Sequence, residues 1–132
     1  MPVEELLARA RSALRRVDAS EAAKAVRRGA VLLDIRSEVQ RDRDGLIPAA
    51  VFIPRNVLEW RCDPASSSRD ERVSDPDLQL IVFCDEGYQS SLAAATLQQL
   101  GLRRATDLVG GFRAWRAAGL PVERPGGEEL GD

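Results

Sequence analysis

The chain contains no histidine, which removes the commonest general base and metal ligand at neutral pH, together with any Cys-His or Ser-His-Asp hydrolytic arrangement. Whatever chemistry it carries works without imidazole. Only two cysteines are present, Cys62 and Cys84, and neither has metal-ligand spacing, so no metal site is expected. With no secretion signal in view, a structural disulfide is not expected either. No apolar run approaches the roughly 20 residues that a membrane-crossing helix needs. The opening Met1-Pro2-Val3-Glu4-Glu5 has neither a basic nor an apolar leader segment, so a cytoplasmic location and no membrane partner are the expectations. An excess of one charge is missing too: 19 basic and 21 acidic residues leave a net charge of -2, too little for a global field that would hold nucleic acid. All but one of the basic residues are Arg, a bias that carries little functional weight. Partners must be recognised locally.

What is present suffices for one core, since the 132 residues are 44% hydrophobic. Val3, Leu6, Leu7, Ala10, Leu14 and Val17 recur at helical spacing, which predicts an amphipathic opening helix through about residue 17. Asp18 or Ser20 caps a second helix that Gly29 closes. Ala30 to Ile35 is a short, nearly continuous apolar run, the form of a strand covered on both faces. Residues 41–45 read as a charged loop or a short helix end, Ala50 to Ile53 as a strand, and Asn56 to Trp60 as one helical turn. The polar stretch from Arg61 to Asp77 reads as a long, mobile excursion. Leu78 to Phe83 is the most strand-like segment, and Cys84 follows it directly. Ser90 and Ser91 are expected to cap a helix that Gly101 closes. A short strand at 106–109, a Gly110-Gly111 turn and a last helix from Phe112 complete the order. Strands alternating with helices imply a parallel sheet, and in such sheets ligands bind beyond the carboxyl ends of the strands.

Cys84 lies at such an end. The segment Cys84-Asp85-Glu86-Gly87-Tyr88-Gln89-Ser90 joins a buried strand to a helix, so successive backbone N–H groups converge on whatever extends from the sulfur. The helix N-terminus favours a thiolate there, and Gly87 can supply a positive φ. On chemistry alone two readings stay open: a functional thiol, or a small buried hydrophobe at a strand end.

At the level of motifs the chain resembles the rhodanese-like sulfurtransferase domain over about residues 18–122. Asp34-Ile35-Arg36 is similar to the family's Asp-x-Arg strand end. Gly45-Leu46-Ile47-Pro48-Ala49-Ala50 resembles its Gly-His-Ile-Pro-Gly-Ala segment, with Leu46 in place of His and Ala49 in place of Gly. Gly110-Gly111-Phe112-Arg113-Ala114-Trp115 with Gly119-Leu120-Pro121-Val122 matches its closing segment almost residue for residue. The resemblance implies a three-layer α/β domain, a central mostly parallel sheet flanked by helices on both faces. Outside it, the helical period over 1–17 reads as an N-terminal helical extension, and the Pro- and Gly-containing residues 123–132 read as a flexible tail. The resemblance also makes Cys84 the nucleophile, which accepts a sulfane sulfur as a persulfide and passes it to a small acceptor or a protein thiol, with no cofactor. Related phosphatases that share the fold use a loop one residue longer that ends in Arg. Neither Gln89 nor Ser90 is Arg, which disfavours phosphoester hydrolysis.

The loop departs from the thiosulfate-using pattern, which places Arg at the position of Gln89 and basic or neutral residues at those of Asp85 and Glu86. Carboxylates beside the dianion thiosulfate repel it, so weak thiosulfate activity is expected, with a less charged or protein donor in its place. Arg36 is read chiefly as an ion-pair partner of Asp34, with a site role as the alternative. Arg61 and Trp60 are candidates to overhang the loop, against the simpler reading of a solvated Arg and a core Trp. Phe112 and Trp115 are read as core anchors, Tyr88 as a rim residue or a cover for the loop backbone, and Cys62 as an incidental thiol. The function of another class that competes is a non-catalytic module whose acidic loop docks a basic partner.

Overall fold

A computed structural model describes residues 1–126 of the chain. Its elements are α1 (Val3–Ser12), α2 (Ala19–Arg27), β1 (Val31–Asp34), α3 (Glu38–Asp44), β2 (Val51–Phe52), a 3-10 turn (Arg55–Val57), α4 (Leu58–Cys62), β3 (Leu80–Phe83), α5 (Gln89–Gln99), β4 (Thr106–Asp107) and α6 (Gly111–Ala117). The strands form one parallel sheet in the order β2-β1-β3-β4. The two inner strands are apolar apart from Asp34 at the end of β1, because both of their faces are covered.

Alternation along those strands builds two cores. Leu33, Ile35, Leu80, Val82 and Cys84 pack on one side with Leu58, Cys62, Ala93, Ala94 and Leu97, from α4 and α5. Leu32, Ile81 and Phe83 pack on the other with Ala22, Phe112 and Trp115, from α2 and α6. The sheet is therefore the middle of three layers, and Phe112 and Trp115 are the core anchors that their spacing suggests. Side chains on a strand alternate between faces, so the position after Phe83 points Cys84 toward α5.

Several elements differ from the sequence expectation, each for a local or tertiary reason. The opening helix ends at Ser12, and Val17 instead forms a parallel bridge to Leu108, its N–H donating to Asp107 and its carbonyl accepting from Val109. Residues 38–44 are a complete short helix, started by a reciprocal capping box between Ser37 and Gln40. The segment 61–77 is folded down rather than loose. Side-chain oxygens of Asp63, Ser66, Asp70 and Asp75 each accept a backbone N–H two residues on, Asp70 N–H donates to the Arg61 carbonyl, and Val73 is fully buried. Glu123, the first residue assigned to the tail, pairs antiparallel with Leu46; residues 127–132 of that tail lie outside the described residues. Among the described residues, no helix is long and apolar enough to cross a membrane.

Candidate active site at the Cys84 loop

Cys84 leaves β3 at its carboxyl end, and the loop after it is held from behind by the start of α6. The Cys84 carbonyl accepts the Phe112 N–H at 2.9 Å and the Asp85 carbonyl the Arg113 N–H at 3.2 Å. This approach requires glycine at 111: φ is +61°, and a Cβ there would lie 2.5 Å from the Cys84 carbonyl oxygen. Gly87, at φ +91°, is held equally close, since its Cβ would lie 2.8 Å from the Gly110 nitrogen. The turn of glycines and the loop thus fit against each other as bare backbone.

Within that frame the sulfur is cradled by amides. Cys84 Sγ accepts the Gly87 N–H at 3.2 Å and the Ser90 N–H at 3.4 Å. Among the described residues, no protein acceptor meets the N–H groups of Glu86, Tyr88 and Gln89, so further donors are free to serve an anion extending from the sulfur. Ser90 and Ser91 do not cap α5. Their hydroxyls instead donate to Asp107 Oδ2, at 2.9 and 2.7 Å, and α5 begins at Gln89 with no side-chain cap. Because α5 already starts at Gln89, both serines lie within its first turn, where their hydroxyls are free to make charge-assisted hydrogen bonds to the buried Asp107 on β4.

Cys84 opens onto a cavity of about 520 Å³. One wall is Ile35, Arg36, Ser37 and Gln40, a second is Pro54, Arg55 and Asn56, and the loop supplies Asp85, Glu86, Tyr88 and Gln89. Of the residues singled out from the sequence, Cys84, Asp85, Glu86, Tyr88, Gln89 and Arg36 therefore meet in one place. Gly87 contributes its N–H from beneath. Arg36 is fully buried, bound by two nitrogens to Asp34 at 3.0 and 2.9 Å and to the Gly45 carbonyl, with its guanidinium 4.1 Å from the Phe112 ring centre. It shapes the cavity wall while committed to structure. Tyr88 is exposed at the rim.

Arg61 is not brought to the site. It is exposed and donates to the Ser68 carbonyl, and Trp60 is 62% exposed, neither core nor cavity wall. The helical phase of α4 explains both, because the turn that starts at Arg55 presents that residue to the cavity and carries 60 and 61 away from it. Arg55, held by Glu59 at 2.8 Å, is the cation that this segment brings to the cavity wall. Arg113 is a second cation at the loop that the sequence patterns do not single out. Its Nε pairs with Asp85 Oδ2 at 2.9 Å, and it reaches Glu86 at 3.9 Å. Its signal was its place beside the glycine turn, in the segment that matches the family most closely.

The second cysteine contrasts with the first. Cys62 is fully buried, and burial, reinforced by Asp70 and Glu59, pushes its thiol up to about 12. Both cysteines are free thiols. Among the described residues, no group of three or more His, Cys, Asp or Glu could hold a metal ion.

This chain can be compared with known proteins on three grounds. The family model described as "Rhodanese-like domain" matches residues 18–118. A sulfurtransferase of Allochromatium vinosum is 32% identical over 97 residues, 74% of this chain and 81% of that protein. The thiosulfate sulfurtransferase GlpE of Haemophilus influenzae (strain Rd) is 27% identical over 98 residues, 74% of this chain and 84% of that protein. Among solved structures, a Rhodopseudomonas palustris protein of unknown function, described as a possible tyrosine phosphatase, superposes with a TM-score of 0.85 at 32% identity, over 93% of this chain and 95% of that one.

Proposed function

The chain belongs to the rhodanese-like domain family, and from that premise we propose that it is a sulfurtransferase whose Cys84 carries sulfane sulfur as a persulfide. The observation that supports this most directly is the sulfur's setting: two backbone N–H groups on Sγ, with more donors around the same turn and an open cavity in front. In the first half-reaction the Cys84 thiolate attacks the outer sulfur of the donor. The donor's sulfur–sulfur bond breaks, and its electron pair leaves with the departing group, sulfite in the case of thiosulfate. In the second, an acceptor thiolate or cyanide attacks the outer sulfur, and Cys84 departs as thiolate. Both steps pass between anions and need no general base, which suits a chain without histidine. Amide donors at the outer sulfur favour the charged persulfide over its neutral competitors.

Thiosulfate is a poor fit in this reading. No Arg stands at Gln89, and the exposed Glu86 adds an acidic residue to the cavity lining. Asp85 contributes less repulsion than its position in the sequence suggests, because Arg113 holds it. A less charged persulfide or a protein donor fits the site better.

Incubating the protein with candidate donors and measuring its intact mass tests the proposal. Addition of one sulfur, absent in Cys84→Ser, is the expected result. No addition from thiosulfate, a low-molecular-weight persulfide or a protein persulfide would leave the non-catalytic module as the reading. Hydrolysis of an aryl phosphate that depends on Cys84 would favour the description carried by the Rhodopseudomonas palustris relative.

A further inference from the structure

Two arginines from the N-terminal extension reach the back of the Cys84 loop. Arg11 Nη2 lies 2.8 Å and Arg16 Nη2 3.2 Å from the Gly87 carbonyl oxygen. Arg11 Nε also donates to Ser91 Oγ at 3.0 Å, and Arg16 grips the buried Asp107 with Nε and Nη2, at 2.8 and 3.2 Å. Arg16 is thus charge-paired, whereas Arg11 has no carboxylate partner among the described residues. Arg11 also sits over the Tyr88 ring, 5.7 Å from its centre. Both lie outside residues 18–118, the span that matches the family model.

We propose that Arg11 and Arg16 are positioning residues for Cys84, acting through the Gly87 carbonyl to keep the amide cradle aimed at the sulfur. The inference rests on Cys84 being the reactive thiol. The peptide after Gly87 is trans, so its N–H, that of Tyr88, points opposite to its carbonyl and away from the arginines. Glycine at 87 makes rotation of that peptide cheap. A rotated peptide would aim the negative end of its dipole at the sulfur and withdraw the Tyr88 N–H from the cradle. Two guanidinium groups on the carbonyl oppose that rotation through charge-assisted hydrogen bonds. They also set positive charge behind the anion, and of the two only Arg11 leaves that charge unbalanced.

The deciding measurement is the rate at which Cys84 is alkylated by iodoacetamide at neutral pH, followed by peptide mass, together with Tm. Cys62 does not compete, being fully buried with its thiol pushed up to about 12. Arg11→Met is expected to slow alkylation about tenfold, the loss of one charge-assisted hydrogen bond, with Tm close to wild type. Arg11→Lys keeps the charge but not the planar fork that meets Gly87 and Ser91 together, and is expected to be about threefold slow. Arg9→Met, on the same helix and, among the described residues, paired only with Glu5, is expected to match wild type. A wild-type or faster rate in Arg11→Met overturns the proposal; if that variant does not fold, a wild-type rate in Arg11→Lys does. Arg16→Met also strips the buried Asp107 of its partner, so its effect is read on Tm and rate together. Wild-type protein that alkylates readily yet takes up no sulfur from any donor would sink the sulfur-carrier reading, and the alkylation rates would still decide this one.

Discussion

Arg113 Nε lies 2.9 Å from Asp85 Oδ2, so the first residue of the acidic loop is countered by a cation from the helix that also holds the loop's backbone. The Arg113 N–H donates to the Asp85 carbonyl, and backbone and side chain thereby act on the same residue. Replacing Arg113 by Gln keeps the backbone contact and frees the carboxylate. The thiosulfate kcat/KM of Arg113→Gln is expected to fall about threefold or more, with a steeper gain on adding salt than wild type shows. Steady-state cyanide assays across ionic strength check this; an unchanged kcat/KM would mean that Asp85 does not face the incoming anion.

The same geometry ranks the two carboxylates. Glu86 is exposed and meets Arg113 only at 3.9 Å, while Asp85 is engaged. Glu86→Gln is therefore expected to raise thiosulfate kcat/KM about two- to fivefold, and Asp85→Asn to raise it less. Gln89→Arg adds a fork of donors beside the cradle and is expected to give the largest gain. High thiosulfate turnover by the wild type, or no gain in any variant, would show that loop charge is not what limits the reaction.

Gly111 and Gly119 provide a matched test of the close approach. Both have positive φ, at +61° and +74°, but only at 111 would a Cβ meet backbone, 2.5 Å from the Cys84 oxygen and 2.7 Å from that of Asp85. Gly119→Ala is expected to cost about 1 kcal/mol for its φ alone. Gly111→Ala adds displacement of the loop and is expected to cost about 2–4 kcal/mol, with loss of sulfur loading. Denaturant titration and intact mass report the two effects; equal costs at the two sites would remove the steric argument.

Cys62 makes stability depend on alkaline pH. Its thiol is raised from the ordinary 9.0 to about 12 by burial, so the folded state holds the proton more tightly than the unfolded chain. The contribution is fully present below about pH 9, where both states are protonated, and is lost progressively between about pH 9 and 12, at up to about 1.4 kcal/mol per pH unit. Cys62→Ala is expected to be less stable than wild type at pH 7, by a cavity cost of about 1 kcal/mol, and to lose less on going to alkaline pH. Unfolding curves of both proteins over that range decide it, and parallel pH profiles would mean that Cys62 reaches solvent.

What was legible in the chain was what short-range chemistry decides. Asp18 and Glu21 form the capping box that starts α2, because a cap is satisfied within four residues. The unbroken run before Cys84 is a fully buried strand, because only a strand covered on both faces keeps no polar side. Glycines at 87, 110 and 111 sit at positive φ, and the motifs around them identified the family.

Long-range competition settled the rest. Ser90 and Ser91 have the chemistry of caps, yet α5 begins before them at Gln89 and their hydroxyls donate to Asp107, 17 and 16 positions away, a buried carboxylate that needs donors. Val17 fits a helical period but bridges Leu108, and Arg61 was the wrong arginine of its segment because one turn of helix decides which side chain meets the cavity. By itself the sequence determined the parallel α/β class and the turn that presents Cys84, set by periodicity and by backbone conformations open to few residues, and its resemblance to the family made Cys84 the nucleophile candidate. Only the tertiary structure decided which charges reach the loop around that thiol, Arg113 on Asp85 and Arg11 on Gly87, because such pairings depend on distances between remote elements that no local pattern encodes.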